Sequence, residues 1–350
     1  MIRFEPRSRP TTLVAAAAPL GAVVGALALA ALPLATAGAP IGRAFALMVE
    51  GAAGSMFALT ETLTRATPLI FTGLAATVAF RARLYNIGAE GQLYVGALAA
   101  VALGSGALEA PPVLLVPAIL LAGAFAGALL MLGPTLLKVK LGVDEVVTTL
   151  LLNFVVLLFV QMMLEGPFKD PMGGGWPQSE PIVEAGALPV LVERMRLHVG
   201  IILALALSLV LQVVFSRTVI GLKIRAVGDN VSAAQYAGIS VTGVLVTVGV
   251  TSGALAGIAG ASEVAGLKGY LTADLSRGFG YAGIVVAMIA GLHPVLVLPA
   301  ALFIAGVFVG ADTMSRTLNV SNYIADLIVA LSLLCVLVSS LFVRFHVRWG

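Results

Sequence analysis

The sequence carries little charge: Asp, Glu, Lys and Arg make up only 11% of its 350 residues, against about 25% in an average soluble domain. Hydrophobic residues make up 60% of the chain, and its mean hydropathy is +1.07. This composition is not that of a water-soluble domain. The net charge of +3 is small and its basic residues are dispersed, which argues against a nucleic-acid partner.

Motifs that carry catalysis are also missing. The single cysteine, Cys335, lies in an apolar run, so a disulfide framework is excluded and a buried, inert thiol is expected. No lysine follows a glycine, which excludes a G-x-x-x-x-G-K-[ST] phosphate loop. His198, His293 and His346 lack metal-ligand spacing. We therefore expect a chain that is not an enzyme, holds no cofactor or metal, and does not hydrolyse ATP itself.

What the sequence does contain is a series of apolar stretches of roughly 20 residues, each long enough to cross a bilayer as a helix. Because backbone amides in lipid must bond within their own segment, these stretches predict helices. We predict an all-α, polytopic membrane protein of about ten transmembrane helices, forming one domain over residues 1–350. The predicted spans are 12–34, 66–82, 87–106, 112–133, 145–165, 198–216, 241–262, 281–292, 295–314 and 322–343.

The N-terminus admits two interpretations. Three arginines precede an apolar run from Leu13 to Leu34, and Ala35-Thr36-Ala37 resembles a signal-peptidase site. Because the run exceeds the usual signal core of about 7–15 residues, we interpret it as a retained first helix. With that terminus inside, the cytoplasmic segments hold twelve of the twenty basic residues, which predicts that both termini are cytoplasmic. These are Arg3, Arg7, Arg9, Arg81, Arg83, Lys138, Lys140, Arg217, Lys223, Arg225, Arg344 and Arg348.

Two connections and a possible repeat follow from this topology. Proline and glycine in the outer connection 166–197 exclude a long helix and indicate an ordered loop, either a solvated lid or a docking surface for an external partner. Spans 2–5 would be the inverted counterpart of spans 7–10, a common transporter plan. Polar, glycine-punctuated stretches at 86–92 and 262–280 follow spans 2 and 7, and such interruptions point to a substrate path.

Several polar residues near the spans are candidates for that path. Asn86 and Glu90 are four apart and would share a face if helical, with Glu90 facing the bundle interior or water; alternatively, Asn86 caps a helix. Asn153 inside span 5 is either an interhelical hydrogen-bonding residue or a substrate contact. The candidate substrate-path residues are Asn86, Glu90, Gln92, Asn153, Glu263 and Phe279. Asp312 and Arg316 have the spacing of an ion pair, and Asp326 is a further candidate buried acid.

The segment 217–240 is cytoplasmic by its charge, and its part from Gly221 to Ile239 is amphipathic and too short to span. It predicts a short helix over Val231–Ala237, capped either by Ser232 with Gln235 or by Asp229 or Asn230 in another register. The segment is either an ordinary interhelical loop or a projection that fits a groove on another protein.

Four stretches resemble one known family. FRARLYNIGAEGQ at 80–92 is similar to the F-N-I-G-x-E-G-Q signature of nucleoside-type ABC importer permeases, whose larger family also serves ribose and other simple sugars. GLKIRAVGDNVSAAQYAGI at 221–239 is similar to the cytoplasmic loop of that family. SGALAGIAGASEV at 252–264 and GFGYAGIVVA at 278–287 also match, and the resemblance runs from about residue 65 to 315.

The resemblance implies a Type II-like permease of an ATP-dependent importer in the cytoplasmic (inner) membrane, translocating nucleosides. Its partners would be an ABC ATPase carrying ATP-Mg, a second and homologous permease, and an extracytoplasmic substrate-binding protein. The residues implied to face the ATPase are Arg225, Gly228, Asp229, Asn230, Ala234, Tyr236 and Gly238. The alternatives are a simple-sugar permease of the same architecture, and a proton-coupled secondary transporter that uses Glu90 or Asp326 as a relay.

Overall fold

The protein is helical along most of its length. The structure is a computed structural model that describes residues 2–6, 25, 28–106 and 108–349. Two strands, β1 (Ile2–Pro6) and β2 (Phe345–Trp349), pair antiparallel. The helices are α1 (Ala28–Thr36), α2 (Ile41–Ala53), α3 (Met56–Arg81), α4 (Ala89–Gly104), α5 (Pro112–Leu141), α6 (Glu145–Glu165), α7 (Gly200–Arg217), α8 (Val219–Asp229), α9 (Val231–Tyr236), α10 (Val241–Glu263), α11 (Phe279–Ile289), α12 (Val297–Leu318) and α13 (Asn322–Arg344). The predicted all-α class is confirmed.

The helices are those of a multi-pass membrane protein. Among the described residues, six are long and apolar enough to cross a bilayer, or seven if the bent pair α1–α2 forms one span. They are α3, α5, α6, α7, α10 with the turn up to Lys268, and α12 with the turn from Pro294. The spans predicted at 87–106, 281–292 and 322–343 coincide with shorter apolar helices, and most of the span at 12–34 lies outside the described residues. The count of ten and the inverted repeat stay predictions.

Two boundaries differ most from the predicted ones, and one helix is absent from the prediction. Helix α3 begins at Met56 rather than at 66, α5 continues to Leu141 rather than to 133, and α2 was not predicted. The missed parts hold polar residues, such as Thr60, whose hydroxyl donates to the Met56 carbonyl 3.0 Å away, and Lys138 at the end of α5. Apolarity alone marks the lipid-crossing part of a helix, so polar extensions are left out.

Local sequence fixes where the helices begin. The side chains of Asp144, Thr218 and Ser240 accept backbone N–H groups in the first turns of α6, α8 and α10. These caps satisfy donors that have no partner within the helix. Helix α5 ends at Gly142, whose φ of 68° is the left-handed conformation that glycine adopts without strain.

The chain divides into two compact units, one running up to Arg65 and resuming at Leu302, the other comprising Ala66–Ala301. The first unit has a small hydrophobic core of Ala30, Leu34, Ala44, Met314 and Ile328. Asp312 lies 3.9 Å from both Arg316 and Arg65, which confirms the predicted pair and adds a third member. Asp326 is exposed within this unit, so its prediction as a buried acid is wrong: it lies outside the small core.

The core of the larger unit is built on glycine contacts between α4, α5 and α10. A Cβ added at Gly96 on α4 would overlap the carbonyl oxygen of Gly257 on α10, and one at Gly127 on α5 would overlap that of Gly253. Helix backbones therefore touch directly, as small residues allow in lipid, where apolar burial alone does not drive helices together. The 39 glycines of the sequence include these contact positions.

Connections in the larger unit gather at two ends. At one end the connection 166–197 bonds to the end of α4 (Val183 N–H to Gly104 O, 2.8 Å) and to the turn after α10 (Ile182 N–H to Gly269 O, 2.8 Å). At the other end, the Tyr85 N–H donates to the Glu145 carboxylate 3.1 Å away. The connection 166–197 contains no long helix in the structure, as predicted, only a single 3-10 turn at Glu184–Gly186.

Candidate functional site

The turn before α4 is held by side-chain amides. Asn86 and Gln92 pair twice, with Asn86 Nδ2 donating to Gln92 Oε1 (2.8 Å) and Gln92 Nε2 donating to Asn86 Oδ1 (2.9 Å). Asn86 also donates to the Ser252 hydroxyl on α10, and its Oδ1 accepts the Gly88 N–H. Because α4 begins only at Ala89, the condition for a helical face shared by Asn86 and Glu90 is not met; Asn86 shapes the turn that precedes the helix.

Glu90 joins two helix N-termini. It lies in the first turn of α4 with 4% of its surface exposed, and its Oε2 accepts the N–H of Gly280 in the first turn of α11, 2.7 Å away. A Cβ at Gly280 would overlap the backbone nitrogen of Glu90, so the two termini are in direct contact. A carboxylate between two N-termini is stabilised by both helix dipoles. Short helices meeting in this way are typical of transporter binding sites.

Asn153 on α6 binds both of these elements. It is fully buried; its Oδ1 accepts the Gly91 N–H (2.8 Å), and its Nδ2 donates to the Ile87 carbonyl (2.9 Å) and to the Tyr281 hydroxyl (3.1 Å). These contacts are those of an interhelical hydrogen-bonding residue. Its contact with substrate stays a prediction.

The connection between α10 and α11 passes along α4. The Tyr94 hydroxyl donates to the Ala273 carbonyl 2.7 Å away and accepts the Ser276 N–H, one turn from Glu90. Phe279 is fully buried at the start of α11, and its carbonyl accepts the Thr72 hydroxyl from α3 (2.9 Å). Asn86, Glu90, Gln92, Asn153 and Phe279 thus lie around one junction, which we call the α4–α11 junction. Their separation along the chain reaches 193 residues, from Asn86 to Phe279.

Glu263 is the remaining candidate substrate-path residue. It is the last residue of α10, 1% exposed, and a π-helical turn over Val264–Lys268 follows it. Gly260, one turn earlier, packs on the Leu93 carbonyl. The role of Glu263 in a substrate path stays a prediction.

The segment 217–240 forms two short helices, α8 and α9. Asn230 caps α9 by accepting the Ala233 N–H (3.0 Å), so the register with Asn230 as cap is the one adopted. Gly238, with φ of 77°, follows the end of α9. We call α8–α9 the projection.

The implied ATPase-facing residues of the projection divide into two sets. Arg225, Asp229, Asn230, Tyr236 and Gly238 are exposed, and Tyr236 is 97% exposed. Gly228 and Ala234 are buried, so they position the projection rather than forming its surface. The Arg225 guanidinium donates back to the Phe215 carbonyl at the end of α7.

Two side chains at these sites are not among the candidates that the sequence predicts. Tyr281 has 37% of its surface exposed beside Asn153 at the α4–α11 junction. In the sequence, Arg81 is notable only as a cytoplasmic positive charge, yet in the structure its Nε donates to the Leu292 carbonyl 2.8 Å away. The motif GFGYAGIVVA contains Tyr281, so the sequence does carry a signal for that residue. No sequence signal identifies Leu292, 211 residues away, as the partner of Arg81.

A buried histidine precedes α7. His198 is fully buried, its Nδ1 accepts the Gly200 N–H (3.2 Å), and its Nε2 meets no hydrogen-bond partner among the described residues. The ring packs directly on Gly266, where a Cβ would lie 2.5 Å from it. Burial lowers the pKa of His198 to about 4, so the imidazole is neutral at physiological pH.

Comparison with known proteins defines the class. The family model described as "Branched-chain amino acid transport system / permease component" matches residues 58–337, and the chain belongs to this family. It is a membrane-embedded permease subunit of an ABC transporter, a class of subunit that is not itself an enzyme.

Individual relatives align over most of the chain. A glucose ABC transporter permease of Haloferax volcanii is 34% identical over 99% of this chain and 93% of its own length. A guanosine ABC transporter permease of Bacillus subtilis is 34% identical over 93% and 94%, and a nucleoside ABC transporter permease of Lactococcus lactis is 32% identical over 76% and 75%. No solved structure matches the chain.

Proposed function

We propose that this chain is the permease subunit of an ATP-driven importer of nucleosides. The observation that carries the substrate class is the similarity to the guanosine and nucleoside permeases, together with the NIGAEGQ segment that builds the α4–α11 junction. Glucose or a related sugar is the second candidate, because the glucose permease aligns over 99% of the chain.

The exposed projection supports an ATPase partner. Tyr236 is 97% exposed at the end of a capped helix, and tyrosine is among the side chains that most often anchor protein–protein interfaces. The sequence holds no phosphate loop of its own. ATP-Mg would therefore bind in a separate ATPase docked on the projection, with no cofactor in this chain.

Further partners follow from the same assignment. A second, homologous permease would complete the translocation path, and an extracytoplasmic binding protein would deliver substrate at the end formed by the connection 166–197. With the projection on the ATPase side, both termini are cytoplasmic and the protein lies in the cytoplasmic membrane, in agreement with the distribution of basic residues.

In this mechanism the ATPase moves the projection, and the bundle alternates between inward-open and outward-open states. The free energy comes from nucleotide binding, because a ligand shifts an equilibrium only by its differential affinity for the two states. Glu90, held between the ends of α4 and α11, lies where a change in their spacing would alter the path.

The coupling assignment is tested by Tyr236→Ala, alone and combined with Arg225→Ala, in the complete transporter. We expect uptake to fall by about tenfold or more, since truncation of an exposed aromatic anchor costs about 2 kcal/mol or more at an interface. Tyr323→Ala is the matched control, because Tyr323 is 84% exposed outside the projection. Normal uptake by the double variant would overturn the assignment.

The substrate class is tested by competition. Uptake of labelled guanosine should be inhibited by adenosine, and neither glucose nor ribose should compete. Inhibition by sugars and not by nucleosides would favour the second candidate. Uptake that persists without the ATPase and stops when the proton gradient collapses would instead indicate a secondary transporter.

A further inference from the structure

The Arg81 side chain connects three elements at the projection end of the larger unit. Its guanidinium carbon lies 4.5 Å from the centre of the Phe215 ring on α7, and its Nε donates to the Leu292 carbonyl after α11 (2.8 Å). The ring face attracts the cation, and the carbonyl fixes the orientation of the guanidinium plane. Arg81 is the last residue of α3, so one side chain links the ends of α3, α7 and α11.

The projection contacts the same residue through its backbone. A Cβ added at Gly228, in the last turn of α8, would overlap the Arg81 carbonyl oxygen, so this glycine lets α8 rest directly on the chain at Arg81. Arg225, one turn earlier on α8, donates to the carbonyl of Phe215, the residue whose ring lies beneath Arg81. Movement of α8 therefore acts on both Arg81 and its aromatic support.

Leu292, which accepts the Arg81 hydrogen bond, is connected through α11 to the α4–α11 junction. Leu292 closes the C-terminal end of α11 by donating its N–H to the Ala287 carbonyl (2.9 Å). Helix α11 has 11 residues and is therefore about 16 Å long. Its other end is the Gly280 N–H that binds Glu90. A displacement of the Leu292 turn is carried along a short, regular helix to that hydrogen bond.

We propose that Arg81 is a positioning residue that transmits motion of the projection through α11 to the Glu90–Gly280 contact. This inference rests on the proposed function, in which an ATPase moves the projection. The contacts form a continuous chain of packed groups, through which coupling between distant sites can be carried; the coupling itself is measured by changing the residue that joins them.

The test compares Arg81→Gln and Arg81→Lys with Arg83→Gln in the complete transporter. Arg83 lies two residues away and is exposed, so it matches the charge without the contacts. For Arg81→Gln we expect normal assembly and basal ATP hydrolysis, with guanosine imported per ATP hydrolysed reduced by about tenfold, within the usual range of coupling between two sites. Arg81→Lys keeps the charge and should recover part of that ratio, while Arg83→Gln should leave it unchanged.

A second readout needs no substrate. In a Cys335→Ser background, Tyr281→Cys places a thiol near the far end of α11, at a position that is 37% exposed. With Arg81 present, a non-hydrolysable ATP analogue should change the labelling rate of this thiol. With Arg81→Gln, that change in rate should be smaller by about fivefold or more.

The outcomes separate the two proposals. If the transporter with Arg81 shows neither nucleoside uptake nor a nucleotide-dependent change in labelling, the proposed function fails. If it shows both and Arg81→Gln retains them, the transmission role is overturned. A parallel loss of assembly, ATP hydrolysis and thermal stability in both Arg81 variants would assign Arg81 a purely structural role and would also overturn it.

Discussion

The core of the larger unit and the projection use side chains in opposite ways. Where α4, α5 and α10 meet, packing depends on missing side chains, because Gly96 and Gly127 let backbones touch. On the projection, the exposed surface depends on side chains that are present, above all Tyr236. A backbone-packed core gives little room for local adjustment, so the proposed motion of the projection would be transmitted as movement of whole helices.

The largest effect is expected where that core is overfilled. Gly127→Ala places a Cβ against the Gly253 carbonyl, which should cost about 3 kcal/mol of folding free energy. Gly133→Ala on the same helix is the control: the described residues leave open space there, so the gain in helix propensity of about 1 kcal/mol should dominate. Thermal unfolding in detergent measures both. Equal melting temperatures would show that α5 shifts freely and that the core is not rigid.

Hydropathy was sufficient to predict the helical class and most spans, because each lipid-crossing segment is visible locally. It does not predict α2, which contains Arg43 and Glu50, and it places the start of α3 too late, because Glu61 and Arg65 lie in the first part of that helix. The α4–α11 junction was predicted only as two interrupted stretches. That Glu90 accepts from Gly280, 190 residues away, depends on how the helices pack, and no local pattern encodes that contact.

The next largest effect is a difference in stability between the replacements of two side-chain amides on α6. Asn153 is fully buried with three hydrogen bonds, whereas Gln161, two turns later, is exposed. Asn153→Leu should cost about 2–3 kcal/mol, because it leaves the Gly91 N–H and the Ile87 carbonyl unpaired. Gln161→Leu should be nearly neutral. Unfolding experiments on both variants measure this difference, and an unchanged Asn153→Leu variant would mean that water replaces the amide.

A smaller effect is expected from pH. His198 has its pKa lowered by burial from 6.5 to about 4, so the unfolded chain binds a proton between those values that the folded chain excludes. Stability should therefore fall as the pH drops through this window, by about 2 kcal/mol between pH 6.5 and 5. His198→Asn keeps an acceptor for the Gly200 N–H without titrating, so its melting temperature should depend less on pH. Identical pH profiles would show that the imidazole is protonated in the folded protein.

The smallest effect tests the projection itself. Asn230→Ala removes the cap of α9 and should cost about 1 kcal/mol, while Asn230→Asp keeps an acceptor for the Ala233 N–H. Because α9 is short and mostly exposed, the loss should appear as local fraying rather than global unfolding. Amide hydrogen exchange over residues 231–239 should be faster in the alanine variant, while exchange in the core helices α4, α5 and α10 should stay unchanged. If exchange also quickened across α10, the cap would be supporting the core, and the contrast between the two regions would not hold.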